Sequence, residues 1–185
     1  MKRLFFVLLL AVPSRTALGA NPIFGETQNQ ISLGLGYKNS DSGGGMLSMF
    51  DLIHGRPESL YFFSLHYSQP DTNFRLPGRR NLELIALRGT GKDMKRYSQR
   101  ALGASWDTVL LHGEQFYLGF SVGVYLKDKI DDRINAQFTF GEKFFLGYRF
   151  PRLNLEFFLR HFSTGYLTTI NRGYNFVGVA AALNY

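Results

Sequence analysis

The chain has 185 residues, enough for one domain, and 21 Lys and Arg against 14 Asp and Glu give a formal charge of +7. It contains no Cys, which excludes a disulfide framework and thiolate chemistry, and its four His residues show no metal-ligand spacing, so neither metal nor cofactor is expected. The mild basicity suits an anionic surface, but the Gly-rich stretches follow no phosphate-loop spacing, so a nucleotide or nucleic-acid role has no support.

The chain opens Met-Lys-Arg, runs apolar from Leu4 to Val12 and reaches small residues at Ala17-Leu18-Gly19-Ala20. Those are the three regions of a secretory signal peptide, predicted over 1–20, with the mature domain over 21–185. Cleavage there removes Lys2, Arg3 and Arg15 and lowers the charge by three. The apolar run is too short to cross a bilayer as a helix, and no later run reaches 18 apolar residues.

Beyond residue 30 the chain alternates with the period of two that marks a strand. Ile31, Leu33, Leu35 and Tyr37 face one way, with Ser32, Gly34, Gly36 and Lys38 opposite. The same pattern recurs at Tyr61 to Tyr67, Phe116 to Leu126, Phe138 to Phe150, Leu153 to Leu159 and Val177 to Tyr185. One face is large and apolar; the other is mostly Gly, Ser, Ala and Thr. A soluble sandwich or lipocalin-like barrel turns its apolar face inward and charges the outer one. Here the small, polar face reads as the filled interior of a small barrel whose outside meets lipid. Nine stretches qualify: 30–38, 45–54, 59–68, 80–89, 97–111, 115–127, 133–150, 153–163 and 174–185. The second has the poorest alternation, follows Gly43-Gly44-Gly45 and contains Asp51, so it is assigned to a long loop. The expectation is an all-β, eight-stranded antiparallel transmembrane barrel in a Gram-negative outer membrane.

With both barrel ends in the periplasm, the turn at Pro151-Arg152 is periplasmic and 164–173 is an external loop. His161 and Ser163 then lie near the outer end of their strand, continuing its lipid-facing series. A tight turn at Pro151-Arg152 pairs Phe150 with Leu153 and, counting outward, Glu142 with His161. The external hairpin pairs Ser163 with Gly173 and His161 with Asn175. Three polar outward residues on three strands therefore converge beside Ser163. Such residues are costly on a lipid face and are functional candidates for that reason. A Ser hydroxyl becomes a nucleophile when a neutral His takes its proton, and the His needs an acceptor on its other nitrogen. Glu142 could serve as a carboxylate, Asn175 through its amide oxygen. The bland alternative is an interfacial His beside a strand-end hydroxyl.

Arg-His-Phe-Ser-Thr-Gly at 160–165, followed by Asn171, Gly173 and Asn175-Phe176, resembles the lipid A 3-O-deacylase (PagL-like) family, as does Phe138-Thr139-Phe140-Gly141-Glu142. The resemblance is specific over about 50 C-terminal residues and upstream is only of barrel type. It implies hydrolysis of the acyl ester at position 3 of lipid A, with Ser163 as nucleophile and His161 as general base. The family's catalytic Glu falls on Asn175 and its Asn after the Ser falls on Thr164. Glu142 is then the candidate acid orienting His161, and Asn175 the alternative third member or an oxyanion donor. Thr164 or the Gly165 amide must supply the oxyanion site. The expected partner is lipopolysaccharide in the outer leaflet, with Lys92, Lys95, Arg96, Lys127, Lys129 and Arg172 near its phosphates; oligomeric state is left open. Competing readings are an outer-membrane phospholipase or other acyl esterase, and a non-catalytic structural or adhesion barrel.

Overall fold

The structure is a computed structural model that describes residues 28–40, Phe50 and 58–185. The predicted signal peptide and most of the 45–54 stretch lie outside the described residues. Eight strands form the fold: β1 (Gln30–Ser40), β2 (Glu58–Asn73), β3 (Leu76–Gly89), β4 (Gln99–His112), β5 (Phe116–Lys127), β6 (Phe138–Arg149), β7 (Leu153–Ser163) and β8 (Tyr174–Asn184). Each pairs antiparallel with its chain neighbour, and β1 closes on β8, so the sheet is a closed barrel.

The faces are as the alternation predicts. Leu33, Leu35, Phe63, Leu65, Leu155 and Val179 point outward and stay exposed. Ser32, Ser64, Asn81, Ser105 and Ser121 point inward and are buried. An apolar exterior around a polar interior is the distribution of a barrel that meets lipid, because lipid imposes no cost on exposed Leu and Phe.

The interior holds far more charge than the small-residue pattern suggests. Arg79 pairs with Asp107 at 2.6 Å and with Glu156 at 2.5 Å; Lys143 lies 3.3 Å from Asp107; Arg160 meets Glu83 at 2.7 Å. Three cations thus face three carboxylates, each giving the others the partner that a buried charge requires. Above this layer, toward the outer end, Phe62, Phe158, Phe162, Phe176 and Tyr125 fill the lumen with tilted and edge-on ring contacts. A lumen packed in this way offers no passage for a lipid, so chemistry on a lipid belongs on the outside.

Two regions differ from the predicted strands. The β2–β3 hairpin extends well beyond 68 and 80, and its turn is Phe74-Arg75, both with positive φ (53° and 68°). That is the two-residue hairpin geometry usually given to Asn-Gly, so no turn signal marked it. Pro70 and Pro77 take part in the pairing, opposite Arg79 and Thr72. At the other end, 133–137 is not strand. Ile134 instead forms an isolated bridge with Asn171, tying the β5–β6 and β7–β8 loops together.

Candidate active site

Glu142, His161 and Asn175 stand side by side on three adjacent strands, in the register counted from the turns: Glu142 opposite His161 and His161 opposite Asn175. Ser163 lies opposite Phe140, two pairs further out and on the same face. The two neighbours of His161 are not equivalent. The Phe150 N–H donates to Leu153 O and the Asn184 N–H to Arg152 O. Alternating outward from these bonds makes Glu142–His161 a hydrogen-bonded, wide pair and His161–Asn175 a non-hydrogen-bonded, close pair. The Cα separations of such pairs are about 5.5 and 4.5 Å respectively.

The side chains follow. His161 Nδ1 lies 2.6 Å from Asn175 Oδ1, and both residues are buried. Since the amide oxygen can only accept, this contact places the proton on Nδ1 and leaves Nε2 as the basic nitrogen. No ion pair joins Glu142 to His161, and Glu142 Oε2 is shielded from solvent with no hydrogen-bond partner among the described residues. The wide pairing on that side is the physical reason. Of the two candidates for orienting His161, Asn175 is the one in contact with it, and Glu142 is not.

Around Ser163 the backbone is held from two sides. Thr139, inside the barrel, donates its hydroxyl to Ser163 O at 2.7 Å. Asn171 accepts the Thr164 N–H at 2.9 Å and donates to Gly165 O at 2.5 Å. Between those bonds sits the Thr164–Gly165 peptide, whose N–H points at Ser163 Oγ, 3.4 Å away. Gly165 has a φ of +58°, a conformation that side chains disfavour and glycine tolerates. Thr164 is fully buried and its hydroxyl bonds that of Thr168 at 2.8 Å, turned away from Ser163. Of the two oxyanion candidates, only the Gly165 amide faces the serine. Thr139 carried no sequence signal, because an inward Thr is ordinary barrel filling.

Part of the outer face beside the site is covered. Leu159 and Val177, on either side of the site, are 8% and 7% exposed, whereas Leu155 and Val179 lower on the same strands are 43% and 58% exposed. Both pack with Phe144, and Phe50, from the segment between β1 and β2, meets Phe144 edge-on at 5.0 Å. His161 thus sits beside a packed apolar patch of Leu159, Val177 and Phe144.

The external cations are mostly engaged with one another's loops. Lys127 pairs with Asp131 at 2.9 Å, Arg96 with Asp132 at 3.3 Å, and Lys129 donates to Arg96 O at 2.6 Å. Burial works against the Asp131 charge. Donation from the Ile134 N–H, the Lys127 ammonium and the Arg133 N–H nonetheless holds its carboxyl below the usual carboxylate range. Lys92 and Lys95 remain exposed.

A family model described as lipid A 3-O-deacylase (PagL) matches residues 24–184. Among solved structures, the fold is similar to the crystal structure of the outer membrane enzyme PagL, with a TM-score of 0.60 and 14% identity over 83% of this chain and 98% of that one. It is also similar to a de novo designed transmembrane β-barrel, with a TM-score of 0.53 and 8% identity over 86% of this chain and 96% of that one. No curated protein matches.

Proposed function

For a chain that belongs to the lipid A 3-O-deacylase (PagL) family, we propose an outer-membrane serine esterase that removes the acyl chain ester-linked at position 3 of lipid A. The observation that carries the reading is the His161 Nδ1–Asn175 Oδ1 contact of 2.6 Å on the lipid-facing side of the barrel, two residue pairs from Ser163. A neutral imidazole with its proton fixed on Nδ1 is a base at Nε2, and nothing else on that face calls for one.

In this mechanism Ser163 Oγ attacks the ester carbonyl as its proton passes to His161 Nε2. The imidazolium is held by Asn175, and the tetrahedral oxyanion takes the Gly165 N–H. Collapse breaks the bond to the sugar oxygen, which leaves with the proton from His161. The acyl group stays on Ser163. Water then attacks the acyl-enzyme, giving its proton to His161. The second collapse returns that proton to Ser163 and releases a free fatty acid. The site opens sideways into the outer leaflet, where the ester of a lipid A molecule lies just below its headgroup.

The reading is tested by mass spectrometry of lipid A from Gram-negative cells with and without this protein, with Ser163→Ala as control. Loss of one 3-O-acyl chain, dependent on Ser163, is the expected result. An unchanged lipid A spectrum overturns it, and a lysophospholipid product transfers the site to phospholipase chemistry.

A further inference from the structure

Glu142 is the polar group on this face that the mechanism does not use. Its outward neighbours are Phe140 and Phe144 along β6, Val122 across β5 and His161 across β7. The residue is partly exposed, yet Oε2 is shielded and without a hydrogen-bond partner among the described residues. A carboxyl group in such a place is disfavoured unless something that arrives there donates to it.

Its depth indicates what arrives. Ser163 pairs with Phe140, and Glu142 is two residues further down the same strand. At about 3.3 Å per residue and the usual barrel tilt, Glu142 lies about 5 Å closer to the membrane centre than the nucleophile level. An ester whose carbonyl sits at Ser163 has its headgroup above and its acyl chain below. The first few carbons of that chain therefore pass the carboxyl group of Glu142 before reaching Phe144, Leu159 and Val177.

Resting on the esterase reading, we propose that Glu142 is a specificity residue that accepts a hydrogen bond from a hydroxyl carried by the acyl chain within a few bonds of the ester, so that hydroxylated acyl esters are selected over plain ones. A site built around a substrate hydroxyl rejects the analogue that lacks it, because the site's own polar group is then left buried and unpaired. This gives the enzyme a means of sparing phospholipids, whose plain acyl chains reach the same lipid-facing surface.

The test uses the full mature protein in mixed micelles with two synthetic N-acylglucosamine phosphates, one bearing a 3-O-(3-hydroxytetradecanoyl) group and the other a 3-O-tetradecanoyl group. Wild type should favour the hydroxylated ester in kcat/KM by at least ~10-fold. Glu142→Leu, at an outward position that suits an apolar side chain, should bring the ratio near one by lowering the hydroxylated rate and raising the plain one. Glu142→Gln, which keeps an acceptor oxygen, should retain most of the preference. A wild type without preference, or a Glu142→Leu ratio equal to wild type, overturns the proposal. A parallel fall on both esters also overturns it and assigns Glu142 to the charge of His161 instead. Wild type no faster than Ser163→Ala on either ester overturns the esterase reading itself, and this one with it.

Discussion

Asn175 can be replaced so that charge changes while shape does not. In Asn175→Ala the acceptor 2.6 Å from His161 Nδ1 is removed. Asn175 is 0% and His161 2% exposed, so water has little room to replace it. Leaving a buried donor unpaired costs about 1–3 kcal/mol, and the loss falls most heavily on the transition state, where the ring is charged. At about 1.36 kcal/mol per tenfold, kcat should fall about 5- to 150-fold. Asn175→Asp does the opposite. It keeps the shape and replaces the amide oxygen with a carboxylate. Hydrogen bonds between charged groups are roughly twice as strong as neutral ones. A further gain of about 1–2 kcal/mol on the imidazolium corresponds to about a 5- to 30-fold rise in kcat. The assay is the initial rate of fatty-acid release from lipid A in mixed micelles, with Ser163→Ala as the blank. Full activity in Asn175→Ala, or equal losses in Ala and Asp variants, would refute the assignment of His161 orientation to Asn175.

The pH dependence of that rate should rise on the acid side as His161 loses its proton, since only neutral imidazole accepts from Ser163; a flat profile across pH 5–8 argues against a His base. Gly165→Ala meets no atom within 4 Å of its new Cβ, so any effect comes through the φ of +58°. A left-handed Ala costs about 1–2 kcal/mol, and relaxation of that turn should lower kcat by about 5- to 30-fold with little change in KM, read by steady-state kinetics. Arg160→Ala strands Glu83 inside the barrel and should destabilise it by about 3–5 kcal/mol, measured by urea unfolding in lipid vesicles. Asp131 has a folded pKa below its unfolded one, so it stabilises its loop above the ordinary carboxylate pKa of about 3.9, and that contribution is lost as pH falls through the lower folded value. Amide protection at Arg133 and Ile134 should therefore persist through pH 5 and be lost only as pH falls below the ordinary carboxylate range; loss already at pH 5 would contradict the pairing.

By the resemblance, the family's catalytic Glu and the Asn after its Ser fall on Asn175 and Thr164, and these two residues are placed differently. At Asn175 the amide keeps the geometry of an acid and gives up its charge. At Thr164 the side chain has left the site altogether and packs against Thr168, so the oxyanion site in the proposed mechanism rests on the Gly165 amide and on the Asn171 bonds that hold its loop. A single amide donor makes the electrostatic contribution of that loop correspondingly sensitive to its conformation.

Much of this molecule is dictated by alternation alone. A period of two with Leu, Phe and Val on one face and Gly and Ser on the other admits one topology once lipid is the solvent, because every backbone group must be paired and a closed barrel is the only sheet that does so. Counting residues from the Pro151-Arg152 turn on one side and from the external hairpin on the other then sets which of Glu142, His161 and Asn175 face each other, since a slip of one turns a strand's outward residues inward. Alternation is silent on the distances across those pairs. Whether His161 meets Glu142 or Asn175 depends on which pairing is narrow, a property of the hydrogen-bond ladder rather than of either side chain. Nor does it show that inward Arg79, Lys143 and Arg160 find Glu156, Asp107 and Glu83, for apart from the cross-strand pair Arg79–Asp107 these partners lie on strands that are not consecutive in the chain. The strands and their faces are local and readable from the chain. The close contact that makes His161 a candidate base, and the shielded Glu142 Oε2 without a hydrogen-bond partner among the described residues, depend on how β6, β7 and β8 pair.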